Sequence, residues 1–330
     1  MRVSLKNITN PSIPLAVFLV GSCFALWMSA YVGERFSTLS TQNTSIVESL
    51  QSIFLPNSLL SNLASIALTL LNAFLVAQIN NRYTIIRTRT FLPILIFLML
   101  MGTWNPTHVM IGANLGLTFF ILALFYFFGM TRDRKASEQA FMGSFLISLC
   151  SLLINPLLFI IPVCWIGFMI FQSFSLRTFL ASVFGVLSPW VLYLSGSYLL
   201  HPGFDFLQLL HVSIDIDFNI STYSLSEIIY AASLTLIMII GVIGMNSISN
   251  SDAIKTRNKL NFLLLMLISL LILSFIFKNQ FLSFLPMIAL VYSMLISHPL
   301  TLKQDNFHVI LFLIFCLINI AFVISKYFLF

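Results

Sequence analysis

Asp215-Ile216-Asp217 sets two carboxylates two positions apart in a polar stretch. Such a pair can hold Mg²⁺ or Mn²⁺ against a phosphate. Glu34 stands directly before Arg35. Its carboxylate could take the proton from an acceptor hydroxyl at a membrane surface, or bind a metal that bridges phosphates. The Arg35 guanidinium could clamp a phosphate in a fork. His201 and His211 could assist a phosphate or a metal. The side-chain amide of Asn155, just ahead of Pro156, could approach a lipid phosphate. Each group also has a plainer reading. A bare D-x-D is common in solvated loops, Glu34 and Arg35 suit an interfacial pair, and Asn-Pro suits a hairpin turn. A divalent cofactor is therefore left open.

The elements that must position these residues are membrane spans. Hydrophobic residues make up 59% of the 330-residue chain and charged residues 8%, with a mean hydropathy of +1.02. A soluble domain carries about 25% charged residues. The pattern predicts an all-α, polytopic helical membrane protein forming one integral domain over 1–330, without a soluble domain. The net charge of +6 is spread thinly over the loops. It forms no basic patch interleaved with aromatics, which excludes nucleic acid as a partner. Cys23, Cys150, Cys164 and Cys316 all sit inside apolar runs without CxxC spacing, so they read as buried small hydrophobes.

Hydropathy gives about eleven spans: 13–33, 57–79, 91–104, 109–130, 140–155, 157–173, 178–200, 225–247, 260–277, 281–297 and 307–326. The first is too long for a signal-peptide core and reads as an uncleaved anchor. With the N-terminus in the cytoplasm, thirteen of the 16 basic residues fall on the cytoplasmic side, leaving only Arg35, Lys278 and Lys326 opposite. The positive-inside rule therefore predicts a bacterial inner (plasma) membrane protein, with cytoplasmic N-terminus and periplasmic C-terminus. Trp27 and Trp104 lie near span ends, as aromatic belts do, whereas Trp165 and Trp190 fall mid-span and read as packing residues. The span interiors carry essentially no charge, which counts against a coupled transporter. Asn62, Asn72, Asn114, Ser65 and Thr69 read as interhelical hydrogen-bonding groups, with a polar path as the alternative.

Two outer segments are long, 33–56 and 201–224. In the first, Ser45-x-x-Glu48 is a capping box, and Ile46, Val47, Leu50, Ile53 and Phe54 share one face, as in a helix lying in the interface. A second interfacial helix is expected around 205–211, and Ser224-x-x-Glu227 should cap the following span. The inner loops are too short for a folded domain. The chain has no P-loop, GxGxxG, HExxH or nucleophile elbow.

The block from Phe141 to Tyr198 is the most distinctive. Two apolar runs of about 15 residues, each rising roughly 23 Å, meet at Asn155-Pro156, which suggests a hairpin of short helices. Arg177 marks the next turn, and Ser188-Pro189-Trp190 lies inside the following run. This order of features resembles the membrane part of GT-C type glycosyltransferases over residues 13–200. Glu34 falls where that class carries an acid, 46–55 where it has an interfacial helix, Asn155-Pro156 at the hairpin tip, and Gly185 to Trp190 in a later span. The tip has Asn155 where the class usually carries a basic residue. Across most of its length, through Leu71–Pro93 and the 141–190 block, the chain also resembles a family of polytopic inner-membrane proteins from Bacteroidota with no assigned activity. The GT-C resemblance implies Glu34 as the catalytic base, with Arg35, Asn155 and His201 binding substrate and Asp215 and Asp217 binding metal. It also implies a membrane lipid, namely a polyprenyl-phosphate-linked sugar, as partner. The alternatives are a lipid or small-molecule flippase or permease, and a non-enzymatic scaffold subunit with protein partners unspecified.

Overall fold

The computed structural model describes residues 12–32, 58–88, 90–104, 108, 111–131, 136–200, 224–248, 252–303 and 305–328. Among these residues the fold is helical. It comprises α1 (Ile13–Val32), α2 (Ser58–Tyr83), α3 (Leu92–Thr103), α4 (Ile111–Gly129), α5 (Ala136–Leu153), α6 (Ile161–Ile170), α7 (Leu176–Leu200), α8 (Leu225–Ile248), α9 (Ile254–Ile276), α10 (Phe281–Leu302) and α11 (Asn306–Phe328). Eight of these, α2, α4, α5 and α7 to α11, are long and apolar enough to cross a membrane. The chain is a multi-pass helical membrane protein. The helices fall close to the expected spans. The clearest differences are at α9, which begins at Ile254, and α10, which continues to Leu302. Lys255, Lys259 and His298, expected in loops, are therefore held on helices. The expected interfacial helices at 46–55 and 205–211 lie outside the described residues.

α10 is the centre of the bundle. Seventeen of its 22 residues are buried, as befits a helix that is apolar all round. It packs against α3, α4, α8, α9 and α11. Its buried hydroxyls turn back onto their own helix: Ser293 donates to the Leu290 carbonyl at 2.7 Å and Thr301 to that of Ser297 at 2.7 Å. α3 has only 12 residues, roughly 18 Å of helix, and lies buried beside α10.

Two parallel pairs flank this centre. α2 and α4 run parallel, with α3 returning between them. Their polar side chains hydrogen-bond across the interface. Asn72 Nδ2 donates to the Asn114 carbonyl at 3.0 Å, Asn114 Nδ2 to Ser65 Oγ at 3.1 Å, and Thr118 Oγ1 to Asn72 Oδ1 at 2.8 Å. α1 joins through Asn62, whose Nδ2 donates to the Trp27 carbonyl at 3.2 Å. α5 and α7 run parallel in the same way, with α6 returning. Ser148 donates to the Val186 carbonyl at 2.7 Å, and the Trp190 indole to Ser151 at 3.0 Å. The Trp165 indole reaches Ser182 at 2.9 Å. Trp165 and Trp190 are the packing residues expected. Trp27 is not a belt residue: it is fully buried, because His108 stacks on it with ring centroids 4.0 Å apart.

The turns are encoded locally. Asn155-Pro156 opens a 3-10 turn, Asn155–Ile160, that leads into α6. α6 ends in a Schellman motif, with Gln172 at φ 56 and the Ser173 amide bonded to the Phe168 carbonyl at 3.0 Å. Ser175 and Thr178 then cap α7 reciprocally, at 2.8 and 3.2 Å. The expected capping box at α8 is present: Glu227 accepts from the Ser224 amide at 3.2 Å and donates its own amide to Ser224 Oγ at 3.3 Å. All four cysteines are free, as their positions implied.

The α5–α7 contact depends on small residues, as interfaces between membrane helices do. A Cβ on Gly185 would stand 2.5 Å from the Phe141 carbonyl oxygen, whereas one on Gly196 would meet nothing within 4 Å. Gly185→Leu should therefore lower stability by about 1–3 kcal/mol, and Gly196→Leu should stay within about 0.5 kcal/mol of the parent. Reversible unfolding in mixed micelles measures both. Equal losses would show that α7 is not closely seated on α5.

Candidate functional site

Glu34, Arg35, His201, Asp215 and Asp217 lie outside the described residues. Asn155 is described, at the tip between α5 and α6. The helices that flank the two long segments can nevertheless be placed. Trp27, near the end of α1, contacts His108 and the first turns of α2. Tyr230, near the start of α8, reaches Thr103 at the end of α3 at 3.1 Å, and its ring stacks on Phe322. Trp190 of α7 bonds to Ser151, just before the Asn155 tip. Segments 33–57 and 201–223 are thus both bounded by helices that end where Asn155 lies. This end of the bundle also carries Trp104 packed on Phe281 and Phe322, and it is called the far end below.

The midplane offers no opening at the residues considered for a polar path. Asn62, Asn72, Asn114, Ser65 and Thr69 are all buried. They are taken up in the contacts between α1, α2 and α4, with Thr69 bonded back to the Ser65 carbonyl at 2.8 Å.

The opposite end holds two features that reading the sequence did not single out. The first is an ionic clamp. Asp252 pairs with Arg87 Nη2 through one carboxylate oxygen at 3.0 Å and with His298 Nε2 through the other at 3.1 Å. The Asp252 and His298 side chains are fully buried, and that of Arg87 is 47% exposed. The local sequence explains how Arg87 is aimed. Thr84 turns the chain at φ 46, Ile85 and Ile86 are buried, and the Ile86 amide donates to Asn80 Oδ1 at 2.9 Å. Asp252 stands just before α9, and His298 lies in the last turn of α10. A signal was available beforehand: Asp252 is an acid on the strongly basic side of the charge map, and Arg87 and His298 fall on that same side.

The second feature is a groove of about 500 Å³ between α2, α4 and α5. Leu75 and Leu122 line its apolar end, Gln78, Phe125 and Tyr126 follow along the helices, and Arg82 and Glu138 stand at its charged end, called its mouth. Tyr83 stiffens one side. Its hydroxyl donates to the Phe125 carbonyl, and its own carbonyl accepts from Lys259 Nζ at 3.0 Å. The Lys259 ammonium also lies 4.9 Å from the centre of the Tyr83 ring, a cation–π contact. Among the described residues, no group of three or more His, Cys, Asp or Glu side chains is placed to hold a metal. No family model, curated protein or solved structure matches this chain.

The clamp generates one prediction. Arg87→Ala leaves the buried Asp252 carboxylate with His298 alone, and should cost about 3 kcal/mol. Adding Asp252→Asn should recover much of that loss, because no buried charge then lacks its partner. A double-mutant cycle by chemical unfolding reads the coupling, and additive losses would show that the clamp contributes nothing.

His108 generates another. Burial pushes its pKa down to about 4 against an ordinary 6.5, opposed by the Met101 and Gly102 carbonyls. The folded state therefore holds His108 neutral where the unfolded chain takes up a proton. Stability from this group is full above about pH 6.5 and is lost as the pH falls toward 4. Melting curves between pH 7.5 and 4.5 should show a shallower acid loss in His108→Phe than in the parent.

Proposed function

We propose that the protein is a GT-C type transferase that takes a sugar from a polyprenyl-phosphate donor at the far face of a bacterial inner membrane. The supporting observation is that the two segments carrying the candidate groups are bounded by helices ending at one end of the bundle, beside the Asn155-Pro156 tip. The opposite end carries Arg82, Arg87, Lys255, Arg257, Lys259 and Lys303, and is the cytoplasmic one on this reading. The N-terminus is then cytoplasmic and the C-terminus periplasmic.

In this mechanism an acceptor hydroxyl attacks the anomeric carbon of the donor. Glu34 takes the hydroxyl proton as the new C–O bond forms. The bond between the anomeric carbon and the phosphate oxygen breaks, and polyprenyl phosphate leaves with the bonding pair. Arg35 holds the leaving phosphate, with His201 and the Asn155 amide as further contacts. Asp215 and Asp217 would hold a divalent cation, which supplies charge neutralisation at that phosphate. The carrier alternative loses support because Asn72 and Asn114 are hydrogen-bonded into the α2–α4 interface rather than left to line a path.

Proteoliposomes supplied with undecaprenyl-phospho-[¹⁴C]glucose and a cell-envelope glycan extract provide the test. The parent protein should release undecaprenyl phosphate and label the glycan. Glu34→Gln should cut the rate by about 10²–10⁴-fold, and Asp215→Asn with Asp217→Asn should make it insensitive to added Mg²⁺. Equal turnover in parent and Glu34→Gln protein would overturn the assignment. No turnover by the parent would favour a scaffold subunit.

A further inference from the structure

The groove between α2, α4 and α5 changes character along its length. On α2, Leu75 lies seven residues before Arg82, and on α4, Leu122 lies seven before Gly129. Seven residues of helix span roughly 10 Å. Over that distance the lining passes from Leu75 and Leu122, through Gln78, Phe125 and Tyr126, to Arg82 and Glu138. A water-soluble ligand would have no use for the apolar end, and a hydrocarbon would have none for the mouth. Only an amphiphile matches both.

The mouth also carries a charge pattern. Arg82 and Glu138 are both exposed there. They come from different helices, and the ion pairs among the described residues are those of Asp252 alone, so the two are not joined to each other. A guanidinium offers a fork to a phosphate, and a carboxylate accepts from an ammonium. We infer that this groove binds a membrane phospholipid with a zwitterionic aminoalkyl-phosphate head, its phosphate on Arg82, its ammonium on Glu138 and one acyl chain along Leu75, Leu122 and Phe125. A purely anionic head would satisfy Arg82 and set its remaining polar groups against the Glu138 carboxylate without a cation. The groove lies at the end opposite the proposed transferase face, and the inference does not rest on that reading.

The test uses the purified full chain, delipidated and then supplied with an equimolar mixture of palmitoyl-oleoyl phosphatidylethanolamine and phosphatidylglycerol. Native mass spectrometry counts the retained lipid. The parent should keep the ethanolamine lipid in preference to the glycerol lipid by about tenfold or more. Arg82→Gln should reduce retention of both, and Glu138→Gln should remove the preference by lowering retention of the ethanolamine lipid without lowering that of phosphatidylglycerol. A parent with no preference, or a preference that survives both substitutions, would overturn the proposal. A phosphatidylethanolamine with a diazirine in its acyl chain supplies a readout on the unaltered protein. Photolabel should concentrate on the peptides holding Leu75, Leu122 and Phe125. Label spread evenly over the exposed faces of α7 and α11 would show annular lipid only and sink the site.

Discussion

A polar group inside this bundle has to find its partner inside the bundle, because neither lipid nor packed side chains can replace water. That constraint shapes most of what the helices do. Asp252 is the sharpest case: a carboxylate with no exposed side-chain surface, met by a cation on one oxygen and an imidazole on the other. Its partners come from the α2–α3 connection and the end of α10, so a single acid fixes three chain segments together. The tight turn at Thr84 and the amide bond to Asn80 follow from the need to deliver Arg87 to that point. The same constraint works more quietly in the midplane, where Asn72, Asn114, Ser65 and Thr118 answer one another. Hydrogen bonds of this kind contribute only about 0.6 kcal/mol each on average between membrane helices. Their larger effect is on register, since a helix that slid by a turn would leave several polar groups unanswered.

The result is a bundle with two unlike ends. At one end the charges of Arg87, Asp252 and Lys259 are drawn into contact with the protein. At the other, the described contacts are largely aromatic: Trp104 with Phe281 and Phe322, and Tyr230 stacked on Phe322 and bonded to Thr103 and Asn319. The two parallel helix pairs, α2 with α4 and α5 with α7, use short returning helices, α3 and α6, to bring the chain back. α3, buried by its neighbours, shields its backbone from lipid, so the length needed for an independent crossing is not required of it.

Much of this arrangement was legible in the sequence, for identifiable reasons. Hydropathy alone locates the helices, since few other runs of this composition can exist in a membrane protein. The alternation of basic residues assigned Arg87, Asp252 and His298 to one side, and the structure brings these three within 3.1 Å contacts. Ser224 and Glu227 could be read as a cap because a capping box is local. What was not legible depends on which helices become neighbours. The clamp joins positions 87, 252 and 298, and nothing in a linear reading links them. Trp27 looked like a belt residue because a tryptophan near a span end reads the same in either case. His108 and Ser65, from distant parts of the chain, decide that it is buried. Of the candidate site residues only Asn155 falls among the described residues, where it forms the hairpin turn expected of it.

The groove stands out against this background. Asp252 and Lys259 are drawn inward and answered by the protein, whereas Arg177, Lys255 and Arg257 stay exposed without a cleft beside them. Around the groove polar side chains face open space: Gln78, Arg82 and Glu138 are exposed, while Lys259 and the Phe125 carbonyl are spent on holding Tyr83 in place as a wall. Arg82 does lie 5.6 Å from the Tyr83 ring centre, but a cation–π contact at an exposed position is worth only about 0.5–1 kcal/mol and leaves the guanidinium edge available. Lys259 holds Tyr83 as the rim of the cleft, and among the described residues no ion pair joins Arg82 to Glu138 across its mouth. In a bilayer the molecules always at hand to fill such a cleft are lipids, and the apolar end beyond the charges sets which part of a lipid goes where.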